Sequence, residues 1–132
     1  MAARLTEKQL TAIDKYNSSI KGLCRLVSLL DKDNAVIELI KNRISLFLES
    51  NPTEAINISG EYINKYKEKI DSKDESFFLS GGISDELKNA NSSITSLFEL
   101  IKEKWPKLSI KEKDDFWQKI EAMVKAYVVY TT

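Results

Sequence analysis

Residues able to do chemistry are numerous in this chain, but few are spaced to act together. Asp31, Asp33 and Asn34 sit within one short segment, as in the opening of a calcium-binding loop. Such a loop needs a further oxygen ligand at its fifth position, glycine at the sixth and glutamate at the twelfth. Ala35, Val36 and Asn42 stand there instead, so the segment reads as helix capping and no metal is expected. Asp114 with Asp115, and Glu99 with Glu103, are paired carboxylates. A working acid–base pair needs surroundings that push the two pKa values apart, whereas lysines flank both pairs, which reads as solvated helix face. Histidine is absent, which removes the usual general base, every His-containing triad and most zinc sites. Cys24 lies on the apolar side of the first helical pattern and reads as a small core residue, with no partner for an internal disulfide. Ser80-Gly81-Gly82 lacks the lysine and spacing of a phosphate loop and follows no strand. No catalytic residue and no cofactor is expected.

Two patterns point toward binding. Lys65, Lys67, Lys69 and Lys73 interleave with Tyr62 and Tyr66, as basic and aromatic residues do in single-strand binders. On a helix, however, the tyrosines join Ile63 and Ile70 on the apolar stripe, leaving the lysines on the wet face. The turn at Trp105–Ser109 resembles that of a helix-turn-helix, but the helix after it would bring Asp114 and Asp115 near phosphates. Nucleic-acid association through Lys65–Lys73 is therefore the alternative reading. The second pattern is a surplus of aromatics: Phe77 beside Phe78, Phe116 beside Trp117, and Tyr127 near Tyr130. One helical seam does not easily hold adjacent aromatics, and exposed aromatics anchor interfaces. Phe77, Phe78, Trp117 and Tyr130 are accordingly the expected contacts with a protein partner, and a homo-oligomer fits the same surplus. The competing account is a core with neighbours on two sides, which would absorb them.

These residues need elements to position them. With 132 residues, 42% of them hydrophobic and 30% charged, the chain is long enough for one domain with a real core. Its 20 basic and 20 acidic residues balance, so no global field recruits nucleic acid or an anionic membrane. Four glycines and two prolines are few for a fold of many tight turns. The expected class is all-α, a single-domain bundle of about five helices spanning residues 1–132. No uncharged run approaches the ~18 residues of a membrane span, and the first residues lack the apolar core of a secretory signal. A soluble, cytoplasmic protein is expected.

The helices follow from caps and spacing. Thr6 with Gln9 makes a capping box for the first, whose stripe runs through Leu10, Ile13, Ile20, Leu23, Val27 and Leu30, with Tyr16 or Asn17 at the missing step. A second helix, roughly residues 34–49, carries Val36, Ile37, Ile40, Ile44, Phe47 and Leu48. Its apolar content makes it the expected central helix. Asn51, Pro52 and Glu54 predict the start of a third helix, with Ile56, Ile63, Tyr66 and Ile70 on its face and Gly60 permitting a close crossing or a kink. Residues 71–84 read as a loop pinned by Phe77 and Phe78. Ser84 is the expected cap of a fourth helix bearing Leu87, Ala90, Ile94, Leu97, Phe98, Ile101 and Trp105, its first half weakened by Asn89, Asn91, Ser92 and Ser93. Pro106 stops that helix. Ser109 and Glu112 form a second capping box for a last helix of about five turns, with Phe116, Ile120, Met123, Val124 and Tyr127 along it.

The segment from Glu61 to Ile70, continuing into Asp74-Glu75-Ser76-Phe77-Phe78-Leu79, resembles a pattern in small uncharacterised proteins of nucleocytoplasmic large DNA viruses. In those proteins a tyrosine- and lysine-rich helix runs into a "D-E-x-F-F-L" segment. Trp105, Leu108, Ser109, Lys113, Asp114 and Trp117 are similar to a later element of the same proteins. The resemblance covers about residues 50–127. It implies a viral protein in the host cytoplasm or the virion, in a non-enzymatic role, and transfers no functional residue.

Overall fold

The computed structural model describes residues 4–79 and 91–132. Thr6 begins α1 (Glu7–Leu30) by a reciprocal cap: its hydroxyl accepts from the Gln9 N–H and its own N–H donates to the Gln9 side chain, both at 3.0 Å. Asn34 caps α2 (Ala35–Ser50), its Oδ1 accepting from the backbone of Val36 and Ile37 at 3.0 and 3.2 Å. The oxygen cluster at Asp31–Asn34 thus works as a junction between helices. Then come α3 (Glu54–Lys65), α4 (Lys67–Asp71), the single turn α5 (Ser76–Leu79) and α6 (Ser92–Lys104). A 3₁₀ turn at Trp105–Lys107 contains Pro106 and leads to α7 (Ile110–Thr131), which Ser109 and Glu112 cap as their spacing predicts. The described residues contain no strand, and five of the helices exceed two turns. The all-α bundle of about five helices is what the spacing predicts.

α1 and α7 form the most extensive pairing in the structure. They run antiparallel: the Gln9 side-chain amide donates to the Tyr130 carbonyl at 3.2 Å, and far along the pair Gly22 lies against the Lys119 side chain. Ile13, Tyr16, Ile20, Leu23 and Val27 of α1 meet Phe116, Ile120, Met123 and Val124 of α7 in one core. α3 crosses the same pair closely. A Cβ on Gly60 would run into the Tyr127 ring, whose Cγ would lie 3.0 Å away and whose edge carbons would be nearer still. Beside this crossing the Ser59 hydroxyl donates to the Ala55 carbonyl and accepts from the buried Tyr16 hydroxyl, each at 2.6 Å. Burial pushes the Tyr16 hydroxyl pKa up, against the smaller lowering effect of that hydrogen bond.

Several expectations need correction. α2 is peripheral: only Ile37, Ile44 and Leu48 of its apolar residues are buried, while Val36, Leu39 and Leu46 face solvent. Counting apolar residues could not show that they occupy two faces. Leu10 is exposed, although its neighbour Gln9 reaches the Tyr130 carbonyl of α7, and Tyr16 and Asn17 are both buried. Thr53, without a side-chain cap bond, precedes α3. Asn51 instead ends α2, its N–H donating to the Phe47 carbonyl at 2.9 Å. Gly60 permits the crossing, and the break in the helix falls at Tyr66. Phe77 and Phe78 sit on a helical turn rather than a loop. Asn91 caps α6, its side chain accepting from the Ile94 N–H at 2.9 Å. Ser80, Gly81, Gly82, Ser84, Leu87 and Ala90 lie outside the described residues.

Candidate interaction surfaces

Phe77, Phe78 and Trp117 are only 1%, 2% and 3% exposed, so as folded they offer a partner no surface. Helices on two sides accommodate what one seam could not. Ring centroids lie 4.3 Å apart for Phe78 and Trp105, 4.9 Å for Phe78 and Trp117, and 5.5 Å for Trp105 and Trp117. Tilted and edge-on aromatic pairs at such distances are favourable beyond their buried area. Phe98 and Phe116 complete the cluster. Tyr130 is half-buried, and its hydroxyl donates to Asn57 Oδ1 at 2.7 Å, so it ties α7 to α3.

One carboxylate serves this cluster. Glu75 Oε2 accepts from the Trp105 indole N–H at 2.6 Å and pairs with Lys113 Nζ at 2.7 Å. The hydrogen bond from Lys113, then that from Trp105, holds the Glu75 carboxyl below its usual range. Glu75 stands in the polar run of residues 71–76, which hides this role in the sequence. Three other acids have ion-pair partners at the surface: Asp114 pairs with Lys73 at 3.2 Å, Asp31 with Lys104 at 3.5 Å and Glu38 with Lys41 at 3.8 Å. Cys24 is buried, which pushes its thiol up to about 12 and keeps it protonated at neutral pH. Among the described residues, no group of three or more Cys, Asp or Glu side chains is placed to hold a metal ion.

The lysines of the alternative reading do not form one free basic face. Lys65 and Lys69 reach over the Tyr66 ring at 6.0 and 5.9 Å, and Lys73 is paired with Asp114. Lys67 borders a hollow that also holds Asp71 and Glu121.

Two other surfaces are open. On α2, Val36, Leu39, Arg43 and Leu46 recur at steps of three, four and three, which aligns them on one stripe. Val36, Leu39 and Leu46 are 60%, 49% and 63% exposed, with the half-buried Ile40 and Phe47 beside them. Arg43 has no ion-pair partner among the described residues. The second surface is a shallow groove of about 690 Å³ between α1 and α7, lined by Ala12, Ala122, Ala126 and Val129, with Lys8, Lys15 and Lys125 along it.

The chain is 27% identical over 77 residues to an uncharacterised protein of African swine fever virus. It has a viral relative. The match takes in 58% of this chain and 57% of the relative, so the chain spans little more than half the relative's length. The resemblance to proteins of large DNA viruses is thereby supported. No family model and no solved structure matches the chain. No helix among the described residues is long and apolar enough to cross a membrane.

Neither open surface was visible in the sequence. The exposed α2 residues have the same types as its buried ones. Apart from Val129, the uncharged residues of the groove are alanine, serine and threonine, which carry little hydrophobic signal.

Proposed function

We propose that this chain is a non-enzymatic helical protein–protein interaction module, acting in viral assembly or against a host factor, in the host cytoplasm or the virion. The exposed stripe of α2 carries the reading. Apolar side chains lined up on a helix face mark interaction sites, and an arginine among them is the charged residue most enriched at interface centres. The viral relative supports the setting. The absence of histidine and the pairing of Asp31 and Asp114 with lysines support a role without catalysis. The nucleic-acid alternative has less support, because Lys73 is paired and acids share the helices of Lys65, Lys67 and Lys69.

Leu39→Glu/Leu46→Glu tests the reading. Both sites are about half exposed or more, so each substitution is expected to change stability by no more than about 0.5 kcal/mol. Tagged wild type, expressed in virus-infected host cells, is expected to retain a stoichiometric partner after nuclease treatment, and the folded variant to lose it. Release by nuclease would shift the reading to the lysines. Equal recovery by the variant would remove α2 from it.

A further inference from the structure

We propose that the groove between α1 and α7 receives an acidic amphipathic helix from a partner protein. Its apolar side chains would lie against Ala122 and Val129 and its carboxylates would reach Lys8, Lys15 and Lys125. This surface uses no residue of α2, so the two proposals fail independently.

Shape and charge argue together. Ala12 and Ala126 are buried beneath the groove, and the half-exposed Ala122 and the exposed Val129 present its apolar surface. Small side chains leave the depth between the two helices open to inserted apolar groups. Along α1 the lining extends from Lys8 to Ser19, about 16 Å, or about three helical turns. A helix satisfies its own backbone hydrogen bonds and can lie on an apolar surface without stranding an N–H. An extended strand would find no sheet edge here to pair with.

The lysines set the sign of the ligand. Lys8 and Lys15 come from α1 and Lys125 from α7, so positive charge lines both banks. None of the three has an ion-pair partner among the described residues. Asp14 is the opposing charge in the lining, and the balance there remains positive, while Lys125 also borders the neighbouring hollow that holds Asp71 and Glu121. A rod with carboxylates on both flanks of an apolar stripe matches two basic banks better than a flat anionic membrane does. Such complementarity speeds encounter and selects partners.

The test uses the full chain and a fluorescein-labelled synthetic helical peptide of about four turns, with a leucine stripe flanked by glutamates. A peptide of the same composition with the stripe scrambled is the control. The striped peptide is expected to bind at least about tenfold more tightly than the scrambled one. Lys8→Glu/Lys15→Glu/Lys125→Glu is expected to weaken it at least about tenfold and to gain affinity for a lysine-flanked counterpart. Added salt is expected to weaken binding, because the lysines are exposed or at the rim. Ala122→Phe, filling the half-exposed part of the groove, is expected to block the peptide while the thermal melt is retained. Should that variant unfold, Thr11→Tyr at the exposed edge makes the same test. Equal binding of the scrambled peptide, unchanged binding by the triple-lysine variant, or displacement of the peptide by anionic phospholipid vesicles would overturn the proposal.

Discussion

Glu75 holds two donors on a single oxygen, the Trp105 indole N–H and the Lys113 ammonium. The Lys113 ammonium also lies 5.6 Å from the Trp105 ring centroid, so charge, ring and carboxylate secure one another. Since folding lowers the Glu75 pKa, its contribution to stability is present above the unfolded value and is lost as pH falls through the folded one. Asp31 and Asp74, also lowered, act with the same sign. Thermal melts from about pH 7 to about pH 2 are expected to show wild type losing stability on the acid side, and Glu75→Gln losing less. At neutral pH Glu75→Ala is expected to be the less stable of the two variants, because glutamine can still accept from the buried indole. Equal acid slopes for wild type and Glu75→Gln would contradict this account.

At the scale of elements, the crossing of α3 over α7 depends on the hydrogen at Gly60. Gly60→Ala is expected to destabilise by about 1–3 kcal/mol through overlap with the Tyr127 ring. In a Tyr127→Ala background the overlap disappears, and alanine's higher helix propensity, worth up to about 1 kcal/mol, should make Gly60→Ala neutral or stabilising. Denaturant melts of the four proteins of this cycle measure the change of sign. Element identity was largely legible: Thr6, Asn34, Ser109 and the spacing of Phe116, Ile120 and Met123 locate helices because caps and periodicity are local. What a helix faces is not local. The rank of α2, the break at Tyr66 and the burial of Phe77, Phe78 and Trp117 depend on neighbours remote in the chain. The candidate surfaces were illegible for the same reason, since Leu39 and Leu46 differ from Ile37 and Ile44 in position rather than in type.

At the scale of the whole molecule, Cys24 reports on cooperativity. Its side chain lies in the core that also contains Ile37, Leu97 and Ile120. Ellman's reagent is therefore expected to react slowly with the native protein, and added denaturant to raise the rate in step with global unfolding. Fast labelling before the circular dichroism transition would reveal a local opening. Burial raises the thiol from its ordinary value of 9.0 to about 12, so the stability it contributes is full below pH 9.0 and is lost as pH rises through about 12. Cys24→Ala is expected to have a shallower alkaline decline in thermal melts.

The antiparallel pairing of α1 with α7 also bears on synthesis. The helix made early finds its main cover in the helix made late, with α2 through α6 translated between them. At about 5–20 residues per second, the ribosome takes on the order of ten seconds to deliver that cover. Throughout that interval Ile13, Tyr16, Ile20 and Leu23 lack their native seam, and closing it requires a long-range loop, which slows folding. The nascent chain is thus a natural client for chaperones that shield apolar helices, and a ribosome stalled before Ile110 holds a chain that cannot close its core.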